Sequence, residues 1–319
     1  MESNIRGIHH VTAIASDPQR NLDFYTGVLG LRLVKLTVNF DAPDTYHFYF
    51  ADGTGNPGTI LTFFPWPGAR QGVHGARQAS TLAFSIPAGA AGFWVDRLKQ
   101  HGVTASTGES FNEEVISFAD PDGLQLELVA GETEAAVSPW EGGPVPAQAA
   151  LRGFHGVTLQ EEGYEATAAL LSETFGFRLA YQAENRARFE APSGQPGRRI
   201  DLVCLPAGAL GRMGAGVVHH VAWRTGDEAQ QLEWRKKLVG LGLNVTPVLD
   251  RQYFRSIYFR EPGGVLFEIA TDPPGFAIDE SPQRLGTSLK LPPWFEPRRE
   301  EISRQLPSLR LPASGPGEA

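Results

Sequence analysis

Apolar and polar residues alternate in short runs along this chain, and glycine, proline or aspartate separates one run from the next. "RGIHHVTAI" (6–14) reads as a strand, in which Ile8, His10 and Thr12 share one face while His9 and Val11 share the other. After the turn at Asp17 and Pro18, the spacing predicts a helix over Asn21 to Leu29, and strands follow near 31–38, 45–51 and 58–64. The first unit is therefore strand, helix and three strands. A second such unit runs from about Ala79 to Ala130 with its helix at Gly92–His101, a third covers 151–206 and a fourth 216–274.

The units are copies. "RGIHHVTAI" aligns without gaps on "RGFHGVTLQ" (152–160), and the same offset of 146 carries "LGLRL" (29–33) onto "FGFRL" (175–179). "DPDGLQLELV" (120–129) matches "EPGGVLFEIA" (261–270), and "GVVHHVAWR" (216–224) repeats the first stretch again. Residues 131–150, rich in Gly, Pro and Ala, read as a linker between residues 1–130 and 151–274. The proline-rich stretch 275–319 reads as a strap over the body, with about its last ten residues disordered. Four strand-helix-three-strand units resemble the vicinal oxygen chelate superfamily. The resemblance implies an α+β fold of four βαβββ modules, paired into two cup-shaped barrels around a metal.

Composition narrows the partners. With 319 residues, 41% of them hydrophobic, there is apolar material for two domains. A net charge of −8 without any long basic run leaves no footprint for nucleic acid. Cys204 is the single cysteine, which excludes an internal disulfide and suits a reducing compartment. No apolar run spans a bilayer and no leader-like segment opens the chain, so a cytoplasmic location away from membranes is expected. The sequence leaves room for a homo-oligomer.

Glu268 sits in the apolar strand "VLFEIA", where an ionised carboxylate requires a cation or a proton. Strand alternation predicts that one histidine of each HH pair lines a cup. His10 and His220 occupy matching positions, whereas Gly156 stands there in the third module and His155 matches His9 and His219. The second module's first strand has no histidine, and the position matching Glu268 is Glu127 in the second module but Thr62 in the first. Pairing modules one and two gives His10 with Glu127, and pairing three and four gives His220 with Glu268. Only pairing one with four assembles His10, His220 and Glu268. Two histidines and one carboxylate leave open coordination positions and suit Fe(II) working on O2 and substrate together. Glu127 is expected to be a structural carboxylate paired with Arg or Lys, and His155 a residue out of register for metal.

"IHHVT", "YHFYFADGTGNPGT" (46–59), "VHHVAW", "DRQYFRSIYFREPGGVLFE" (250–268) and "RLGTSLKLPP" (284–293) resemble the hydroquinone ring-cleaving dioxygenases. The resemblance implies cleavage of a small para-diol aromatic by O2. It implies Fe(II) on His10, His220 and Glu268, with Mn(II) as a substitute. Around the metal it implies His9, Thr12, His219, Arg251 and Tyr258. His219, Tyr258 and His9 are the candidates for acid–base work, Arg251 for holding a distal hydroxyl or enolate, and Thr12 for substrate contact; His47 in "TYHFYF" is a further candidate for facing the cup. Segment 68–78, with His74, reads as a pocket lid or a solvated loop. Two other readings remain open: a glyoxalase-type isomerase with Zn(II) or Ni(II), which needs a second Glu where Thr62 stands, and a metal-free binding protein.

Overall fold

The structure, a computed structural model, describes residues 4–131, 137–192, 196–206 and 208–312. Module one comprises β1 (Ile8–Ala15), α1 (Pro18–Asp23), β2 (Arg32–Asn39), β3 (Ala42–Ala51) and β4 (Ile60–Pro65). Module two comprises β5 (Gln78–Pro87), α2 (Ala91–Gln100), β6 (Ala105–Ser110), β7 (Glu113–Ala119) and β8 (Gln125–Gly131). Module three is β9 (Phe154–Glu161), α3 (Glu165–Ala169), β10 (Arg178–Ala183), β11 (Arg186–Glu190) and β12 (Arg199–Cys204). Module four is β13 (Val218–Thr225), α4 (Glu228–Gly240), β14 (Leu249–Asp250), β15 (Phe254–Arg260) and β16 (Leu266–Pro274). The fold is α+β, as the pattern of runs indicates. The first helix begins where Asp17 caps it, accepting from the Arg20 amide at 2.8 Å with Pro18 at the first helical position. It ends in a π-helical turn at Phe24–Val28, and the same turn recurs at Leu170–Thr174 after α3.

The strands form two eight-stranded sheets, ordered β14-β15-β16-β13-β1-β4-β3-β2 and β10-β11-β12-β9-β5-β8-β7-β6. Each sheet thus joins modules that are not neighbours in sequence, one with four and two with three. The sheets meet through reciprocal backbone bonds: the Ile8 amide donates to the Gly197 carbonyl at 2.9 Å and the Phe154 amide to the Gly58 carbonyl at 2.8 Å. Gly7 and Gly153, which match in the repeat, make this approach possible. Both have positive φ, and a Cβ on either would lie 2.9 Å from a carbonyl oxygen, so only glycine fits.

The connectors pair as well. Residues 71, 73 and 76 bridge to 215, 212 and 210, and His74 Nε2 donates to the Gly123 carbonyl at 3.0 Å. Segment 68–78 is therefore a tie between the connectors rather than a lid or a free loop. The linker packs too, with Trp140 stacked 4.5 Å from the Arg32 guanidinium. Residues 275–312 run as a strap along the outer edge of β2, where the Lys290 amide donates to the Leu36 carbonyl at 2.9 Å and occupies part of an otherwise open strand edge. Fully buried Lys35 anchors the strap by donating to Asp279 Oδ1 at 2.5 Å and to Glu280, with the Tyr253 ring 4.9 Å away. Residues 313–319, where the sequence suggests a disordered end, lie outside the described residues.

A second buried cluster joins modules three and four. Thr167 Oγ1 lies 2.7 Å from Glu161 Oε2 and 2.6 Å from Glu261 Oε2, yet a hydroxyl has a single hydrogen. One carboxyl must therefore carry a proton and donate to Thr167. Glu261 also accepts from the amides of Gly263 at 2.8 Å and Val265 at 2.7 Å, whereas Glu161 Oε1 is buried without a partner. Glu261 is the anion and Glu161 the acid, in keeping with burial and then the Glu261 charge pushing the Glu161 carboxyl up to about 8.

Candidate metal centre

Adjacent histidines on an unbroken strand would face opposite ways. Here the β1–β13 ladder is interrupted twice, so that Ile8 and His10 oppose Trp223 and Ala222, and Thr12 and Ala13 oppose His220 and Val218. Each interruption is a β-bulge with the first histidine of an HH pair, His9 or His219, as the extra residue. The expectation that only one histidine per pair reaches the site is corrected on this point, because each bulge swings the first histidine beside the second. His9 Nδ1 lies 2.9 Å from His10 Nδ1, and His219 Nδ1 lies 2.8 Å from His220 Nδ1.

The second histidines and Glu268 converge. Glu268 Oε2 is 3.0 Å from His220 Nε2 and 3.4 Å from His10 Nε2, and the two Nε2 atoms are 3.4 Å apart. All three residues are buried, and one donor atom from each lies within 4.8 Å of the others, so the cluster could hold a metal ion. The hydrogen bonds fit that use. If His10 and His220 each spend their Nδ1 hydrogen on the preceding histidine, their Nε2 lone pairs face inward. Glu268 Oε1 accepts from Ser256 Oγ at 2.5 Å, while Oε2 faces the Nε2 atoms of His220 and His10. Three inward lone-pair atoms this close form a donor set that could hold a cation. Burial pushes the Glu268 carboxyl up, but His10 and His220 outweigh it and hold the group well below the usual carboxylate range.

The remaining predicted residues lie around this cluster. His9 is buried, hydrogen-bonded to the Thr271 backbone, and its ring packs 5.1 Å from Phe254. Burial, then His220, pushes His219 down to about 3, so it is neutral at pH 7. Tyr258 accepts from Arg251 Nε at 3.2 Å, and Arg251 also pairs with Asp41 at 3.1 Å, closing the gap between β14 and the β2–β3 turn. The Tyr258 hydroxyl is pushed up, by burial first and the Glu268 charge next, and stays protonated. Thr12, on the same face of β1 as His10, is 2.7 Å from Thr62, and His47 Nε2 is 2.9 Å from Thr62 on the other side. Sequence reasoning passed over Ser256, Tyr49 and Phe254. Ser256 had a signal, since it is two residues before Tyr258 and shares its strand face.

The other sheet repeats the scaffold without the donors. By register Gly156 stands for His10, Thr81 for His220, Asp201 for Thr62 and Glu127 for Glu268. A Cβ on Gly156 would lie 2.7 Å from the Arg199 carbonyl, so no histidine fits. Arg188 fills this cup, forked on Asp201 at 2.7 and 2.9 Å and reaching Glu113 at 2.5 Å, while His155 lies 3.1 Å from Glu113. Glu127 has Ser117 Oγ at 3.5 Å and, in place of the expected ion pair, only the longer-range field of Arg186 and Arg188.

A cup of paired βαβββ modules with a buried two-histidine, one-glutamate cluster defines a barrel protein with a candidate metal site. The chain belongs to the Glyoxalase/Bleomycin resistance protein/Dioxygenase superfamily, whose family model matches residues 7–128 and 153–269. It is 49% identical over 306 residues to "Putative ring-cleaving dioxygenase MhqO" of Bacillus subtilis, covering 96% of this chain and 97% of that one. It is 34% identical over 315 residues, 96% of this chain and 97% of the other, to a chlorohydroquinone/hydroquinone 1,2-dioxygenase of Sphingobium indicum. A crystal structure titled as a "putative dioxygenase" from Bacillus subtilis superposes with a TM-score of 0.94 at 47% identity, covering 98% of this chain and 99% of that one. Among the described residues no helix is long and apolar enough to cross a membrane.

Proposed function

We propose that this protein is a metal-dependent ring-cleaving dioxygenase acting on hydroquinone-type aromatics, with Fe(II) held by His10, His220 and Glu268. The observation that carries the reading is the convergence of three buried donor atoms, one each from His10, His220 and Glu268, within 4.8 Å of one another. Its relatives' names support the chemical class. Fe(II) there would supply Lewis acidity toward a ring hydroxyl and redox chemistry with O2.

The chain's own groups divide the remaining work. His9 orients His10 by accepting its Nδ1 hydrogen, and His219 does the same for His220. That leaves the hydrogen of neutral His219 on Nε2, where it serves as a hydrogen-bond or proton donor to a substrate oxygen. Tyr258, protonated and polarised by Arg251, is a second donor, and the guanidinium charge favours an enolate-like ring oxygen. Phe254 and Phe64 give the cup an apolar wall beside the histidines, suited to a flat ring. The isomerase alternative is disfavoured because the position symmetric to Glu268 holds Thr62, already bonded to Thr12 and His47.

Anaerobic reconstitution with Fe(II), followed by oxygen-uptake measurements, tests the reading. About one O2 per hydroquinone and a ring-opened product are expected. Benzoquinone formation without ring opening, or turnover of a hemithioacetal without oxygen demand, overturns it.

A further inference from the structure

Four buried side chains form an unbroken chain that ends at the cup. Tyr49 Oη lies 3.0 Å from His47 Nδ1, His47 Nε2 lies 2.9 Å from Thr62 Oγ1, and Thr62 Oγ1 lies 2.7 Å from Thr12 Oγ1. Every member is buried: Thr12 and Thr62 are 0% exposed, Tyr49 1% and His47 9%.

Hydrogen counting sets the direction. Tyr49 is enclosed by the rings of Tyr253, Phe254 and Phe276, and its hydroxyl has no acceptor other than His47 among the described residues. Pointed any other way, its hydrogen would be a buried orphan. Tyr49 therefore donates to Nδ1, and a neutral imidazole that accepts at Nδ1 must donate at Nε2, here to Thr62. The four groups have four hydrogens for three contacts. Whichever threonine donates to the other, one hydroxyl hydrogen is left at the Thr12–Thr62 end. That end lies beside the histidines, since Thr12 pairs with His220 across the ladder.

The internal repeat supports the same polarity. Tyr49 faces Thr62 as Tyr258 faces Glu268, so His47 matches Ser256. Ser256 can only donate to the Glu268 carboxylate, and His47 donates to the residue standing in Glu268's place.

We infer that the Thr12–Thr62 pair presents one hydroxyl hydrogen to an oxygen of the aromatic substrate, and that Tyr49 and His47 are positioning residues that fix this polarity. The substrate half rests on the proposed function, whereas the polarity rests on the hydrogen bonds alone. The strap takes part indirectly, because its Phe276 holds the Tyr49 ring in place.

Two measurements separate the halves. In protein labelled with 15N-histidine, His47, assigned through the folded His47→Gln variant, should show the Nε2–H tautomer with Nδ1 unprotonated. An Nδ1–H tautomer overturns the polarity whatever the enzyme binds. The second measurement is anaerobic hydroquinone affinity with metal content determined in parallel. The double variant Thr12→Val/Thr62→Val, which removes that hydroxyl hydrogen whichever threonine holds it, should keep its metal and bind about tenfold more weakly, matching one lost hydrogen bond. Thr12→Ser/Thr62→Ser should retain affinity, and Tyr49→Phe, which frees the imidazole to flip, should lie between. Wild-type affinity in the metal-loaded valine double variant, or affinity as weak as that variant's in the folded, metal-loaded serine double variant, overturns the substrate contact. An Nε2–H tautomer in a wild type that binds no hydroquinone refutes the dioxygenase reading and, with it, the substrate contact, while the polarity stands.

Discussion

Glu161→Gln should make the protein more stable at pH 8 and leave it nearly unchanged at pH 5. Glu161 is the protonated member of the Glu161–Thr167–Glu261 cluster, and its carboxyl titrates near 8 in the fold against 4.5 when free. Below 4.5 both states hold the proton and the group has no effect on stability. Between 4.5 and 8 the unfolded chain releases the proton while the fold retains it, so stability falls with rising pH. At about 1.4 kcal/mol per pH unit, the loss across that window is on the order of 5 kcal/mol. An amide donates to Thr167 at every pH and removes this slope. Urea unfolding of the metal-free protein between pH 5 and 9, with chelator throughout, measures it. Glu261→Gln is the contrasting variant, since it weakens the acceptor for the Gly263 and Val265 amides and should cost about 1–3 kcal/mol at all pH values. A Glu161→Gln protein with the parent's slope, or with lower stability at pH 8, refutes the assignment of the proton to Glu161.

His10→Ala and His220→Ala should each lose bound metal, whereas His155→Ala should retain about one ion per chain, as measured by elemental analysis. Glu268→Gln should lose the metal while staying folded by melting curve, and Glu127→Gln, in the cup filled by Arg188, should keep it; the reverse pattern would move the site to the other sheet. Lys35→Met should cost about 3–5 kcal/mol, because Asp279 and Glu280 lose their cation, and should expose the strap to proteolysis. A loss below about 1 kcal/mol would show that the strap does not depend on this anchor.

The module plan was legible because it is written four times, and an ungapped repeat turns single histidines into a comparison. The crossed pairing was legible through His10, His220 and Glu268, since only modules one and four together collect both histidines with a glutamate. The bulges were not. A bulged residue needs no Gly or Pro, and "IHHV" reads as regular alternation until the partner strand shows where a residue is extra. For the same reason the roles of His9 and His219 could come only from resemblance. Tyr49 was invisible as a positioning residue because a tyrosine among aromatic strand residues is ordinary core, and its role depends on 3.0 Å to one nitrogen. The tie between segments 70–76 and 209–215 has no periodicity to read. Arg188 likewise gave no warning that it would fill the second cup.

The crossed pairing of modules has a consequence for synthesis. In chain order the modules nest like brackets: the sheet of modules two and three lies inside the sheet of modules one and four. As the chain leaves the ribosome, the inner sheet has its last strand once Cys204 has emerged, whereas β1 must wait for β13, some two hundred residues later in the chain. Until then β1, paired with β4 on one side, keeps its other apolar edge open, the kind of long-range closure that is slow and prone to misassociation. The Arg188-filled cup, which holds no metal cluster among the described residues, can assemble first and offer Gly197 and Phe154 as docking points for Ile8 and Gly58. On this order of events the half built around Arg188 serves as the template on which the half carrying His10, His220 and Glu268 closes.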